Sequence, residues 1–527
     1  MTEKSSDSES RVVSPVVWAK PDSPANALVR LAADDNVAVA LRTLNENESL
    51  EELTTVDSVP KGHKVALVDI KAGDRVVKYA QTIGIASQAI PAGSHVHSHN
   101  LDFSQSEHNY EFSVDLRDTP VLPVEEQATF QGFRRHDGRV GTRNFVAVLT
   151  SVNCSATVAR HIAEQFRGGA LDEYTNVDGV VSFTHSTGCG MAGSGDGYDN
   201  LQRVLAGYAT HPNVAGVVIV GLGCEVNQIQ DLVDRFGMER GPLFRTLNIQ
   251  STGGHRKTVE IGTQLVKDML PVINAQERET CPASELTLAL QCGGSDAWSG
   301  ITANPALGYA VDLLVQNGGT GVLAETPEVY GAEHLLTRRA VDREIGQKLV
   351  NRILWWEDYV ARHDGSMDNN PSPGNKLGGL TTILEKSLGA VAKGGTTNLA
   401  GVFRYGEQVT SKGFVFMDSP GYDPASITGE VAGGCNLVAF TTGRGSTYGC
   451  KPAPSIKIAT NTDMYERMDD DMDVNAGRIV SEGATIEEVG QEIFDLLLAI
   501  ASGQRSLSEQ HGVGDSEFIP WQIGATM

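Results

Sequence analysis

The sequence predicts an α/β chain in several parts: a small all-β module, then two α/β units, the second with a mainly parallel sheet. Three observations predict it. Short β-like runs punctuated by Gly and Pro fill residues 26–100. From residue 132 onward, apolar runs alternate with segments of helical period. The 527 residues, 40% hydrophobic and 20% charged, are enough for three or four domains with a large core at roughly 150 residues each.

Residues 1–25 are polar and carry Pro15, Pro21 and Pro24, the composition of a disordered tail. Residues 26–100 hold the runs VAVAL, KVALVDI and DRVVKYA and form the all-β module. Residues 101–131 are polar, with Pro120 and Pro123, and read as a linker. The middle α/β unit, 132–280, has strand candidates FVAVLTSV, DGVVSFTH and VAGVVIVG. Val158, Ile162 and Phe166, then Ile229, Leu232, Val233 and Phe236, have the spacing of helices lying on a sheet. The last unit, 281–527, has strand candidates ELTLALQ, GVLAE, FVFMDS and LVAFTT. In it Ile345, Leu349, Ile353, Trp356 and Val360 make one apolar helical stripe, which predicts packing and no chemistry.

Acids outnumber bases 66 to 42, a formal charge of −24. Such a surface repels phosphate backbones, so no nucleic-acid partner is expected. Any anionic substrate must meet a local cluster of cations. No apolar run approaches the ~18 residues of a membrane span, and the first residues lack the plan of a secretory signal. A cytoplasmic location is the expectation. Seven cysteines, odd in number and widely spaced, predict free thiols or metal ligands over disulfides.

Four apolar strands end in cysteine-bearing loops: TSVNC (Cys154), THSTGCG (Cys189), GLGCE (Cys224) and QCGGSD (Cys292). Ligands bind beyond the carboxyl ends of parallel strands. A buried Cys usually behaves as a small hydrophobe, but four at such positions predict a site for a soft or borderline metal: iron, zinc or an iron–sulfur cluster. The spacings match neither a CxxC zinc pattern nor a ferredoxin run. GLG does not complete a dinucleotide fingerprint, because Val226 stands where the third Gly should be. His95, His97 and His99 alternate in HVHSHN, so on a strand they share a face. With His63 they offer metal ligands or acid–base groups, set against the plainer reading of a solvated polar edge. Cations for an anionic substrate stand in turn contexts: Arg135, Arg139 and Arg143 in FRRHDGRVGTRN, Lys376 in PSPGNKLGG and Arg444 in TTGRGSTYG. His185, Glu225, Asp296 and Glu325 are the candidate proton carriers, each in or beside a strand-end loop.

The strings NPSPGNKLGG, QCGGSDAWSGITANPALG, GLGCE, TTGRGSTYG and NVDGVVSFTHSTGCG resemble the altronate/galactarate dehydratase family over nearly all of the chain from Asn26. The resemblance implies a β-clip (SAF-type) domain, a linker, a middle domain used in homodimerisation and a C-terminal Rossmann-like variant. It implies an iron-dependent hydro-lyase working under reducing conditions on a hexonic or hexaric acid. Fe(II) is the implied cofactor, with Mn(II) or an iron–sulfur cluster as alternatives. HVHSHN and VYGAEHLL are more like the altronate branch; the RExCPASEL pattern (278–286) is more like the galactarate branch. The expected reaction is dehydration of D-altronate to 2-keto-3-deoxy-D-gluconate. Galactarate dehydration, a sulfolactate-type lyase and a sugar-acid-binding protein without chemistry are the alternatives. The expected substrate contacts are Arg143, Lys376, Arg444 and His97. The expected metal ligands are Cys154, Cys189, Cys224 and Cys292, with His63, His95 and His97 as further donors.

Overall fold

A computed structural model describes residues 27–50, 53–104 and 109–526. The expected disordered tail, 1–25, lies outside the described residues.

The first seven strands build two small antiparallel sheets. They are β1 (Leu28–Val29), β2 (Val37–Ala40), β3 (Lys64–Ala66), β4 (Arg75–Lys78), β5 (Gln81–Ala86), β6 (His95–Val96) and β7 (Leu101–Asp102). Their orders are β1-β2-β3-β6 and β4-β5-β7. Val37, Ala66, Val76, Ile83, Val96 and Leu101 are buried in the same apolar core as the C-terminal unit, so the module packs on that unit and does not stand apart.

The segment read as a linker begins inside this module, because β7 pairs with β5. Beyond it, residues 109–128 run as a strap along the C-terminal unit. The Ser113, Asp115 and Leu122 amides donate to the carbonyls of Thr337, Arg338 and Gln316. Such backbone bonds impose no side-chain period, which is why the stretch reads as linker. The strap leads into β8 (Thr129–Arg134) and β9 (Val140–Gly141).

The middle unit is a parallel sheet of β10 (Phe145–Thr150), β11 (Gly179–Phe183), β12 (Val214–Gly221) and β13 (Phe244–Asn248), in the order β11-β10-β12-β13. Every residue of β10 is buried, as expected for a parallel strand covered on both faces. Helices Ala156–Glu164 and His255–Asn274 cover one face; Asp196–Ala209 and Ile229–Arg235 cover the other. The chain then forms β14 (Glu279–Pro282), which pairs back with β8.

The C-terminal unit is a seven-stranded parallel sheet. Its strands are β15 (Thr287–Cys292), β16 (Thr320–Leu323), β17 (Leu399–Phe403), β18 (Gly413–Met417), β19 (Leu437–Thr442), β20 (Ser455–Ala459) and β21 (Val474–Asn475). The order is β17-β18-β16-β15-β19-β20-β21. From β15 the chain adds β16, then the edge strand β17, fills in β18 between them, and crosses back to lay β19–β21 on the other side. The strand order reverses between β15 and β19, the position where open parallel sheets take ligands in the crevice beyond the strand ends. No helix among the described residues is long and apolar enough to cross a membrane.

Candidate active site

Two turns form the floor of the crevice. The turn after β15, residues 293–296, is tied to the turn after β19 by the Gly443 and Arg444 amides, which donate to the Gly294 carbonyl at 3.1 and 2.8 Å. Position 443 must be glycine: a Cβ there would lie 2.1 Å from the Asp296 carboxyl carbon. Arg444 follows it, exposed, with no ion-pair partner among the described residues.

Asp296 is not free to react. Its carboxylate accepts from the Trp298 and Ser299 amides, the Ser299 and Thr460 hydroxyls and the Asn461 side-chain amide, all at 2.9–3.1 Å. Burial pushes its carboxyl up, against the pull of those donors. It holds the two turns together, and the catalytic role expected for it gives way to a structural one. The loop carrying Lys376 closes one wall, fixed by Asn375 donating from Nδ2 to the Ser295 carbonyl at 2.8 Å.

The roof comes from the β-module. His97 Nε2 donates to the Lys376 carbonyl at 2.9 Å, and His63 Nε2 to that of Leu377 at 3.4 Å. These bonds leave His63 Nδ1 as an acceptor, so His95 Nε2, 3.0 Å away, donates to it. The three rings lie 5.0–5.5 Å apart, with His99 5.5 Å from His95. Burial, and then the neighbouring imidazoles, lower His63 to about 4 and His95 to about 3; burial lowers His97 too. All three are therefore neutral near pH 7, the form that offers lone pairs to a metal. His63 has the place beside the HVHSHN run that sequence suggested.

A buried carboxylate pins this roof. Glu385 lies between Lys64 (2.9 Å) and Lys78 (2.8 Å), all within a hundredth of full burial. Burial opposes ionisation of Glu385, and the two ammonium groups outweigh it, holding its carboxyl below the ordinary range. Lys64 also donates to the Gly379 carbonyl at 2.7 Å.

Behind the β15 turn lies a second, closed network. Cys292 Sγ is 3.6 Å from Glu325 and 3.4 Å from Glu328. Lys393 stands 3.3 Å from Glu325, and Lys386 2.6 Å from Glu328. Cys292, Glu325 and Glu328 are the one set of three donors within 4.8 Å of each other among the described residues. Lys386 and Lys393 each face one of the two acids. Burial, then Glu328, raises Glu325 to about 8, and its Oε1 has no hydrogen-bond partner. Burial pushes the Cys292 thiol up as well, so it stays protonated.

The four thiols therefore do not form one site. Cys292 is buried in this network, whereas Cys154, Cys189 and Cys224 are exposed at the edge of the middle sheet. His185 and Glu225 also belong to that edge, and their donors and acceptors are used within it. His185 Nε2 donates to the Thr150 carbonyl at 2.9 Å while Nδ1 accepts from the Thr187 amide at 3.3 Å. Glu225 accepts from the Ser151 hydroxyl and the Leu222 and Gly223 amides. Arg143 is no substrate contact. It is buried and grips Glu509 through two bonds, at 2.6 and 2.7 Å, and the carbonyls of Thr142, Ile500 and Gln504. Of the expected substrate contacts, the crevice keeps Lys376, Arg444 and His97. Glu328, Lys386 and Lys393 were missed; lysines inside ILEKSLGAVAKGG give no sign of burial beyond the apolar company they keep.

Fold and crevice together define a three-part α/β protein whose ligand crevice is roofed by a small β-module. Family models match each part: the SAF domain of altronate/galactarate dehydratase at residues 26–104, the second domain of D-galactarate dehydratase/altronate hydrolase at 132–274, and the C-terminal part of D-galactarate/altronate dehydratase at 283–526. Altronate dehydratase of Bacillus subtilis is 36% identical over 483 residues, 91% of this chain and 95% of that protein. Galactarate dehydratase (L-threo-forming) of Escherichia coli is 38% identical over 508 residues, 94% of this chain and 96% of that one. The (2R)-sulfolactate sulfo-lyase of Chromohalobacter salexigens matches as two subunits: beta, 31% identical over 394 residues (74% of this chain, 96% of the subunit), and alpha, 44% over 45 residues (8% and 48%). The chain belongs to the altronate/galactarate dehydratase family.

Proposed function

We propose that the protein is a hydro-lyase that dehydrates D-altronate to 2-keto-3-deoxy-D-gluconate and water. One observation carries the reading: Arg444 and Lys376, both without an ion pair among the described residues, border a crevice roofed by neutral imidazoles in a chain of formal charge −24. A sugar-acid carboxylate is the anion those cations suit. In the reaction the proton leaves C2, hydroxide leaves C3 with help from an acid, and the enol tautomerises to the 2-keto-3-deoxy acid. Arg444 would hold the carboxylate. His99, exposed beside His95, would carry protons at C2 or C3.

Iron(II) fits the roof. His63 Nδ1 and His95 Nε2 are 3.0 Å apart; metal–nitrogen bonds of about 2.1 Å put neighbouring ligands at about that separation. His63 and His95 would hold it, with Mn(II) as the alternative; no nitrogen of His97 lies within 4.8 Å of both these atoms, and His97 stays on the Lys376 carbonyl. Bound there, such a cation supplies Lewis-acid polarisation of the carboxylate and C2 hydroxyl. The reading places the protein in the cytoplasm, where thiols stay reduced. It takes a homodimer as the assembly. Ile261 and Val272, three turns apart on one helix and about half exposed, support a contact through the middle unit.

A panel of aldonic and aldaric acids, assayed anaerobically with Fe(II) and thiol, tests the reading. Altronate should turn over, and Arg444→Ala should cut kcat/KM by about 100-fold or more. No dehydration of any acid in the panel would end the proposal. Galactarate is the second reading, and a specific observation favours it: two free cations are one more than a monocarboxylate needs. A kcat/KM ratio of altronate to galactarate below one would transfer the substrate to galactarate.

A further inference from the structure

Free cysteine is among the most buried residue types, and four of the seven here are buried. The other three, Cys154, Cys189 and Cys224, are all exposed, and all follow strands of one parallel sheet: β10, β11 and β12, with β10 in the centre. Chance exposure would not gather them at one edge. The loops that carry them are also braced against each other. The Asn153 amide donates to the Thr187 carbonyl at 2.9 Å, and its side chain to the His185 carbonyl at 3.0 Å. The Asn227 amide donates to the Gly188 carbonyl at 3.0 Å, and its side chain to the Ser151 carbonyl at 2.8 Å. Glu225 ties the Cys224 loop to Ser151 at 2.6 Å. A Cβ on Gly188 would lie 2.3 Å from the Ser151 carbonyl oxygen, so the Cys189 loop sits directly on the end of β10. Three thiols are thus presented on loops that cannot drift apart, and nothing in the crevice chemistry uses them.

We propose that Cys154, Cys189 and Cys224 hold an iron–sulfur cluster by three thiolates at the edge of the middle sheet, separate from the histidine-roofed crevice. The chemistry of the donors selects it. Soft thiolates favour iron–sulfur clusters or zinc over harder ions. A tetrahedral zinc with Zn–S bonds of about 2.3 Å holds its sulfurs within about 4 Å of one another, yet these three sulfurs do not all lie within 4.8 Å of each other. A cluster carries its irons in its own body and spaces its thiolates wider. Each thiol gives its proton to solvent on binding, and two iron(II), two iron(III) and four sulfides come from outside, so the core forms with no further electron transfer. With three protein thiolates on a four-iron cluster, one iron is left for an oxygen ligand such as water or a hydroxy acid. Gln250, donating to Cys224 Sγ at 3.3 Å, supplies a hydrogen bond to a ligating sulfur.

The test uses the full chain, reconstituted anaerobically with equal iron(II) and iron(III), sulfide and thiol. The expected result is broad visible sulfur-to-iron absorption, with about four irons and four acid-labile sulfides per chain. Cys154→Ser, Cys189→Ser and Cys224→Ser should each lose most of that absorption while far-ultraviolet circular dichroism stays unchanged. His97→Ala, in the crevice, should keep it, which separates this site from iron under the roof. A colourless chain after reconstitution, a single zinc per chain, or absorption that survives all three serine variants would overturn the proposal. Failure of sugar-acid turnover would leave it standing, because its readout is the chromophore.

Discussion

Glu325 sits at φ 68° and ψ 67°, a left-handed conformation that costs a residue with a Cβ about 1–3 kcal/mol. It is fully buried, and burial followed by Glu328 raises its carboxyl to about 8; burial and Glu328 likewise raise Asp423 to about 6. Both folded-state values lie above the unfolded ones, so the folded chain holds more protons between them. The resulting stability is present at low pH and is lost as pH rises, from 4.5 through about 8 for Glu325 and from 3.8 through about 6 for Asp423, by at most about 1.4 kcal/mol per pH unit for each group. Glu325→Gln removes one such group. Its melting temperature should start near wild type at about pH 5, where Gln stands in for the protonated carboxyl, and then fall less steeply than wild type up to about pH 8. Parallel curves would show that Glu325 does not titrate in this window. At this scale the sequence was partly legible. Position at a strand end drew attention to Cys292, Glu325 and Arg444, which the structure places at the end of β15, in the network behind its turn and in the turn after β19. It could not tell a carboxylate facing ligand from one already saturated, which is why Asp296 and Glu225 were misjudged. Arg143 was misjudged for the same reason: a Gly-rich turn exposes some arginines, but this one spends its donors on carbonyls and Glu509.

The helix Ile383–Ala390 is buried along its whole length, charges included. Its adjacent residues Glu385 and Lys386 reach different partners. Glu385 takes the module's Lys64 and Lys78; Lys386 takes Glu328. One helix therefore couples the roof to the network behind the crevice. Removing a partner from a buried charge set costs about 3–5 kcal/mol, because the remaining charges stay buried and unpaired. Glu385→Gln should loosen the module by that order. Hydrogen exchange in 64–66 and 75–78 should rise well before exchange in the seven-stranded sheet. Uniform change across the chain would refute a local pin. Strands were the elements best read from sequence, since continuous apolar runs such as FVAVLT need both faces covered. The strap 109–128 was not, because its order rests on backbone bonds and on scattered side-chain contacts without a period, such as Phe112 beneath Arg343, its guanidinium 4.7 Å from the ring centroid, and Asp115 on Arg338.

Across the whole molecule, the active crevice needs two parts that the sequence joins only through this strap. Two things could keep the roof closed: the covalent tether, which acts as an effective concentration of millimolar order, or the docking contacts themselves. The contacts are extensive. The module shares the C-terminal core, Glu385 binds both module lysines, and Arg338 pairs with Asp115 while Asn398 and Arg117 exchange two bonds along the strap. The related sulfo-lyase, with its alpha and beta subunits, is a case where the counterpart parts carry separate names. Cutting the chain at an engineered protease site between Asp118 and Thr119, in an exposed stretch, separates tether from docking. Residues 1–118 keep the strap bonds and the lysines, so the two pieces should co-elute on gel filtration at micromolar concentration and keep most of the turnover. Adding Glu385→Gln to the cut chain should let the pieces part on dilution, with activity falling as they do, whereas the uncut variant keeps its roof in place through the tether. Separation of the cut wild-type pieces would mean that connectivity alone closes the crevice, and that the buried lysine–glutamate–lysine contact orients the roof without holding it.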